Sequence, residues 1–538
     1  MQVALSFIIY IIAILGATFI LFNNHQKATK QKLSILLLLA IIFFCFLYKL
    51  GLFPNVFLDE ANGFYDAYSL AKYGVDSHLI KFPIYLQSYA GQGQSILLTY
   101  ISILFFKLFG FSLFSFRLSL VVVAIVAILF TCYTLNQYYS KFLAPVMLSL
   151  CSAPYLTVEA RYGMDCNISL WISLIIINCL LIGIKAKRPL IPITLFYIFC
   201  GILAYSYNVA WIYLAFSIVS ISILLYKEKI IVPKVIILGF MLLSIEILPI
   251  VIFAIRSNIR FFNRTIRFGI FTIPELPMSR ANASFIDFHG NVLKNILNNV
   301  FSGFRMLFLT SDGLTWNSLP NFNAYYPFAI IIFIIGLYWV LKNYKSIEAK
   351  ALIILLLCNI PIWLIVQPNY NHWIFTHIPI LLTIGVGIKI LEKVIPYKYL
   401  YGVYLLFFLL FSHAYFTMPR YTGFDISSIK NVKYIRKVSE GSNVYFDGND
   451  RNLLLVIRDF SGISPYEFQR TKDNPYSRKR LLFYNNMANY HKVNTESNIR
   501  KGELFLTTNR NISKKEFKLQ KSNIYIGDTL YCLYRRIN

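Results

Sequence analysis

Asn167-Ile168-Ser169-Leu170-Trp171-Ile172-Ser173-Leu174-Ile175-Ile176-Ile177-Asn178-Cys179-Leu180-Leu181-Ile182-Gly183-Ile184 is followed at once by Lys185, Lys187 and Arg188. The run carries no charge and approaches the roughly 20 residues that cross a bilayer as a helix. The basic cluster behind it is the kind that keeps a loop on the cytoplasmic side. The pattern recurs from one end of the chain to the other, and hydropathy predicts about twelve such helices. They lie near residues 5–22, 34–52, 116–138, 143–158, 167–184, 190–205, 209–226, 235–255, 325–341, 351–367, 374–391 and 400–417. The first run lacks a basic leader and a small-residue cleavage site, so it is read as a retained span.

Composition agrees. Of 538 residues, 57% are hydrophobic and only 14% are charged, against about 25% charged in a soluble domain. The net charge of +27 would suggest nucleic acid in a soluble chain. Here much of it falls in short loops, where Lys and Arg set topology, so no nucleic-acid partner is expected. Lys27, Lys30 and Lys32, then Lys141, the 185–188 cluster, Lys227, Lys229, Lys234, Lys342, Lys345, Lys350, Lys393 and Lys398 mark the cytoplasmic loops. The eight cysteines show no metal-type spacing and no CxxC pair, which argues against a disulfide framework.

The alternation then places three long segments outside the membrane. The expected organisation is two helices in 1–52, an outer loop at 53–115, helices in 116–255, a second outer loop at 256–324, helices in 325–417 and an outer tail at 418–538. The tail is polar and basic, with strand-like runs at Asn443–Asp447, Leu481–Tyr484, Glu503–Thr507 and Asn523–Tyr534. It is long enough for a small α/β domain. The fold class is therefore a polytopic α-helical membrane protein with a small extracytoplasmic α/β domain.

Four places could carry chemistry. Leu58-Asp59-Glu60-Ala61 opens the first outer loop, and two adjacent carboxylates at a membrane boundary need water, a cation or a partner. The bland alternative is a solvated pair that merely ends a helix. His78 and Gln94 lie in the same loop, and Gly91-Gln92-Gly93-Gln94-Ser95 supplies backbone freedom. Residues 95–110 look amphipathic and suit the membrane interface. Glu159-Ala160-Arg161-Tyr162-Gly163-Met164-Asp165-Cys166-Asn167 ends the fourth span; an internal ion pair closing the loop would also explain it. The second outer loop holds Arg256, Arg260, Arg264, Arg267, Arg280 and Arg305, then Asp312 and Trp316. Arginine suits bidentate phosphate binding, although attraction to anionic headgroups would use it too. The last place is Gln367-Pro368-Asn369-Tyr370-Asn371-His372-Trp373.

Taken in order, these stretches resemble the GT-C superfamily of membrane glycosyltransferases. Asp59-Glu60-Ala61, Tyr73-Gly74-Val75-Asp76-Ser77-His78, Gly93-Gln94-Ser95, Phe116-Arg117-Leu118, the 160–167 stretch and Asp312-Gly313-Leu314-Thr315-Trp316-Asn317-Ser318 carry the likeness. It is similar to the protein O-mannosyltransferases and lipid A aminoarabinose transferases (glycosyltransferase family 39-like), in a Gram-positive bacterial branch. The resemblance implies transfer of a sugar from a polyprenyl-phosphate donor, outside the cell membrane, to a glycan or protein of the envelope. It implies Asp59 as general base with Glu60 beside it. Arg117, Arg161 and Asp165 would organise the donor pocket, with Arg267, Arg280 and His372 as further phosphate contacts. His78, Gln94, Asp312 and Trp316 would serve the acceptor or the loops. The branch shows Asn-Arg where Asn371-His372 stands, which replaces a permanent cation with a titratable one. No compact metal-ligand motif is visible, and Asp59 and Glu60 could still hold a divalent cation. A multi-span transporter or flippase is the rival, but the halves show no internal repeat of the kind transporters are built from.

Overall fold

The computed structural model describes residues 2–22, 30–88, 91–259, 263–277, 284–417, 423–447, 453–473, 476–478, 481–493, 495–527 and 529–538. The chain divides into two compact units. One comprises Met1–Gly51, Phe114–Ile255 and Arg280–Pro419, and the other Leu52–Leu113, Arg256–Ser279 and Arg420–Asn538.

The first unit is helical, as a backbone without water must be, because only a helix satisfies its amides within one segment. Each of the twelve expected spans falls mainly on helix, with 351–367 divided into Ile347–Leu357 and Ile360–Ile365. Nine helices among the described residues are long and apolar enough to cross a membrane, ten with one bent pair. Leu190–Leu203 and Ala329–Lys342 have 14 residues each. At 1.5 Å per residue they reach about 21 Å, short of a hydrocarbon core of about 30 Å. The expected single helix at 143–158 is instead Ser140–Cys151 and Pro154–Arg161, meeting at 63°. Pro154 has no N–H to continue the first helix and suits the first turn of the second.

Apolar side chains face outward on this unit. Phe7, Ile12, Leu15 and Phe19 of the first helix are all more than half exposed, as lipid contact requires and water would penalise. Polar contacts lie inside. Asn178 donates to Thr131 at 2.8 Å and Ser169 to Ser206 at 2.8 Å, the interhelical bonds that add specificity where hydrophobicity cannot. Gly336 and Gly387 bring two helices to backbone contact: a Cβ on Gly336 would collide with the Thr383 carbonyl, and one on Gly387 with that of Ile332.

The second unit carries a six-stranded sheet. Its order is Phe517–Ile526, Thr529–Arg536, Leu504–Thr507, Val444–Phe446, Tyr490–Lys492, Asn486–Met487. Val444–Phe446 is parallel to both neighbours and the other pairings are antiparallel. The expected strand at Asn523–Tyr534 is two strands of a hairpin, turned at Gly527 with φ +60. The Gly-Asp step there is a hairpin signal that overrides a continuous apolar run.

The tail does not stand apart from the first loop. All eight residues of the helix Leu453–Phe460 are buried. It packs on the helix Leu58–Tyr73, with Phe460 5.1 Å from Phe64 between ring centroids. Tyr65 donates to the Ile463 carbonyl at 3.2 Å. A bridge joins Val56 to Phe424, and another joins Pro83 to Thr272 of the second loop. Three segments remote in sequence thus share one core. Residues 97–109 form a helix with Leu98, Thr99, Ser102 and Phe106 buried.

Candidate active site

Asp59 and Glu60 occupy the first turn of the helix Leu58–Tyr73. Amides without intrahelical partners and the positive end of the dipole favour carboxylates there. Glu60 is buried and Asp59 half-buried. A chain of side-chain amides holds the main chain at Asp59. Gln94 Nε2 donates to the Asp59 carbonyl at 2.9 Å. Asn62 Nδ2 donates to Gln94 Oε1 at 2.7 Å and to Asp66 Oδ2 at 3.1 Å. Gln94 reaches this position because Gly93 lies against the Tyr85 ring, where any Cβ would collide.

Arg458 closes the chain from the tail. Its Nη2 donates to Asn62 Oδ1 at 3.0 Å and its Nε to Asp459 Oδ1 at 2.6 Å. The guanidinium lies over the rings of Tyr65 and Phe468, 5.1 and 5.4 Å from their centroids. Arg458 and Asp459 are each 3% exposed. Burial works against the guanidinium's charge, but Asp459 beside it more than offsets that, and Arg458 stays a cation.

The same helix continues the network. Asp66 Oδ1 accepts from the Ser77 amide at 2.8 Å, and Asp76 Oδ1 accepts from the amides of His78 and Ile80 at 2.8 Å each. Burial raises Asp66 to about 6. Burial and then the Asp66 charge raise Asp76 to about 7. His78, whose Nδ1 lies 3.0 Å from the Ser77 hydroxyl, is lowered to about 3 by burial and by Lys472 and Arg458. It is a neutral ring at physiological pH. Gln469 ties the tail to this loop by donating to the Ser77 carbonyl at 2.6 Å.

The helical unit holds the second group of expected residues. Arg161 is fully buried. It donates to the carbonyls of Cys45, of Phe46 at 2.9 Å and of Tyr48 at 2.7 Å. These belong to the last turn of the helix Lys30–Leu47 and the turn behind it, where carbonyls lack intrahelical partners and a cation is favoured. Tyr415 and Phe416 stand under the guanidinium at 5.7 and 5.0 Å. Arg117, also buried, donates to the Leu50 carbonyl at 3.1 Å and lies over Tyr162. Asp165 is 5% exposed. Asn167 donates to the Tyr162 carbonyl at 3.1 Å and accepts from Asn371 at 3.0 Å, which joins the 159–167 stretch to the 367–373 turn.

Asp312 organises that turn too. It accepts from Asn317 at 2.8 Å, Ser318 at 3.2 Å, and the amides of Leu314 at 3.0 Å and Tyr370 at 3.1 Å. Burial still holds its carboxyl above the usual range. His372 is half-exposed, and its Nδ1 lies 2.8 Å from the Gln367 carbonyl. A carbonyl can only accept, so Nδ1 carries the proton. Trp316 is half-exposed on the 312–318 loop.

Arg267 is exposed on the hairpin Ile266–Phe268 and Phe271–Ile273, in the unit that holds Asp59. Arg280 lies outside the described residues. One hydrogen-bonded assembly thus gathers Asp59, Gln94 and the His78 loop, with Glu60 on the same helix turn as Asp59, and another gathers Asp165's stretch, Asp312 and His372. Sequence reasoning missed Asn62, Asp66, Arg458 and Asp459. The signal for the last two was present: adjacent opposite charges inside the apolar run Leu453–Phe460 are stable only if paired. Among the described residues, no group of three or more His, Cys, Asp or Glu side chains is placed to hold a metal ion.

No family model matches the sequence, and no curated protein matches it. Solved structures do match the fold. ArnT from Cupriavidus metallidurans in the apo state is 11% identical, with TM-score 0.56, over 93% of this chain and 97% of that one. The same ArnT bound to undecaprenyl phosphate gives TM-score 0.57 at 11% identity and the same coverage. The apo oligosaccharyltransferase of Archaeoglobus fulgidus gives TM-score 0.50 at 11% identity, over 81% of this chain and 64% of that one. The chain is a multi-pass membrane protein with a GT-C fold and a C-terminal sheet.

Proposed function

We propose that this chain is a membrane glycosyltransferase that takes a sugar from a polyprenyl-phosphate donor and passes it to a glycan or protein outside the cell membrane. Within the GT-C fold we assign it to a Gram-positive branch similar to the protein O-mannosyltransferases and aminoarabinose transferases. The observation that carries the reading is the mounting of Asp59: a half-exposed residue whose main-chain carbonyl is held by Gln94, which Asn62 holds in turn, itself held by the buried cation Arg458. A base held this firmly needs little reorganisation when it acts. The fold shared with an ArnT solved with undecaprenyl phosphate supports the donor class.

In this mechanism an acceptor hydroxyl gives its proton to Asp59 as its oxygen bonds to the anomeric carbon. The bond from that carbon to the donor phosphate breaks, and its electron pair leaves with the phosphate. Positive charge gathers on the sugar ring and favours a nearby carboxylate such as Glu60. Direct displacement of this kind inverts the anomeric centre. Negative charge grows on the phosphate and calls for fixed donors. The exposed Arg267 and the half-exposed, titratable His372 are candidates for these contacts. Arg117 and Arg161, spent on carbonyls between Cys45 and Leu50, organise the donor pocket through the backbone. The basic short loops support an extracytoplasmic site and tail.

The test is complementation. A deletion strain should lose a surface glycan that the wild-type gene restores. Asp59→Asn, expressed and inserted at wild-type level, should restore roughly 1% or less of it, since a general base contributes about 10²–10⁴-fold. Full restoration by Asp59→Asn would reject the base. An unchanged glycan profile on deletion, with small solutes accumulating, would favour the transporter.

A further inference from the structure

The tail holds a concavity made by residues outside the candidate active site. Ser442 and Asn443 precede the strand Val444–Phe446, Asn489 precedes Tyr490–Lys492, and Gly502 and Glu503 precede Leu504–Thr507. These strands are parallel or share an edge, so their starts line one end of the sheet. With the last turns of the helix Ile426–Val438 they enclose a cavity of about 820 Å3. Five basic side chains and two acidic ones line it.

Two of the bases build the walls. Arg436 forks onto Glu467 at 2.9 and 3.0 Å and reaches Asn489 at 2.8 Å. Arg535 joins the Gly502 carbonyl at 2.7 Å to that of Val438 at 3.3 Å. Glu503 is engaged as well, by Asn443 and by the Arg500 amide, each at 2.8 Å. Lys433, Lys437 and Lys501 remain. All three are exposed, and among the described residues none makes a side-chain hydrogen bond or an ion pair; the cavity's second carboxylate, Glu440, is exposed beside them. Lys433 and Lys437 stand one helical turn apart, where like charges repel. Favouring the helix C-terminus would explain those two, but Lys501 belongs to the loop across the cavity and has no such role. A single phosphate would occupy a small part of the volume.

We propose that this cavity binds an extended polyanion, a chain that repeats phosphate or carboxylate groups, and that Lys433, Lys437 and Lys501 are its electrostatic contacts. The ligand neutralises the excess of three lysines over the one carboxylate, Glu440, that stands unengaged with them. Binding is therefore steep in salt and independent of Asp59.

The experiment uses the full chain in zwitterionic lipid nanodiscs. Inorganic polyphosphate, polyglutamate, orthophosphate, neutral dextran and anionic lipid vesicles are the probes. Polyphosphate or polyglutamate should bind, each more tightly than orthophosphate, and whichever binds tighter identifies the anionic group; dextran should not bind. Lys433→Glu/Lys437→Glu/Lys501→Glu should weaken binding roughly tenfold to a hundredfold. The control Lys514→Glu/Lys515→Glu/Lys518→Glu, on exposed positions of the same unit, should change it less than about twofold. If the charge reversals disturb folding, the Gln versions of both triples replace them. Failure of both polyanions to bind the wild type, equal loss in the control, or preference for anionic vesicles would each overturn the proposal. Because the readout is binding, it can fail while sugar transfer stands, and the reverse.

Discussion

Among the described residues each unit buries arginine, and Arg458 in one and Arg161 in the other are satisfied in different ways. In the sheet-bearing unit Arg458 pairs with a neighbouring carboxylate and a side-chain amide. In the helical unit Arg161 reaches back 113 to 116 residues to main-chain carbonyls at a helix end. Side-chain partners are themselves replaceable, so the first arrangement can be dismantled as a pair. Main-chain partners cannot be removed by substitution, so the second fails whenever the arginine is lost. The first arrangement also transmits: Arg458 holds Asn62, which holds Gln94, which holds the backbone of Asp59. The second anchors the chain that runs on in sequence toward Asp59.

The comparison can be broken at its strongest point. Arg458→Met leaves Asp459 charged and buried and should destabilise the protein by about 3–5 kcal/mol. The apparent Tm of the purified protein reads this. Arg458→Met/Asp459→Leu removes both charges and should recover most of that Tm. Glycan complementation should stay low, because Asn62 still lacks its donor. If the single variant melts like the wild type, the pair is not what holds this unit.

Next in size is Arg161→Met, which leaves carbonyls unpartnered and should cost about 2–4 kcal/mol. Here no companion substitution rescues it. Arg161→Lys should recover only part, since an ammonium lacks the planar fork. Full rescue by lysine would mean that charge alone matters and that the fork geometry is incidental.

A smaller effect separates charge from hydrogen bonding. The carboxyl of Asp76 is raised in the folded state to about 7 from 3.8. Its contribution to stability is therefore fully present below about pH 4 and lost as pH rises through about 7. Asp76→Asn keeps the oxygen that accepts from His78 and Ile80. Above pH 7 it should exceed the wild type by about 1–3 kcal/mol, and near pH 4 it should match it. Thermal melts across this range decide the point. His78, lowered to about 3 from 6.5, has the opposite sign: its contribution is present above about pH 6.5 and fades as pH falls toward 3. Equal stability of Asp76→Asn and wild type at pH 8 would show that Asp76 is charged without penalty.

The exposed Arg267 is the reference. Arg267→Ala should change the unfolding free energy by less than about 0.5 kcal/mol. A loss of glycan complementation with an unchanged melt would assign Arg267 to the donor. A changed melt would show that exposure is a poor guide to what a guanidinium supports here.

Much of the fold was legible because lipid imposes a simple rule. An apolar run must be helical, so all twelve expected segments fall mainly on helix. Errors came where local chemistry interrupts a run, at Pro154 within 143–158 and at Gly527 within Asn523–Tyr534. Asp59 and Glu60 stood out because carboxylates beside apolar runs are costly. Asn62 and Asp66, four residues apart on one helix face, did not, because polar residues of a loop look solvated until something covers them. What covers them is Leu453–Phe460, almost 400 residues away in sequence.

By itself, then, the sequence determined the environment of each segment, since hydrophobicity and charge belong to individual residues and sum along the chain. Only the tertiary structure decided partnership. It brought Arg458 to Asn62, Arg161 to the end of the helix Lys30–Leu47, and three lysines around one cavity. Such contacts depend on where distant backbones come together, and no local property of the chain records that.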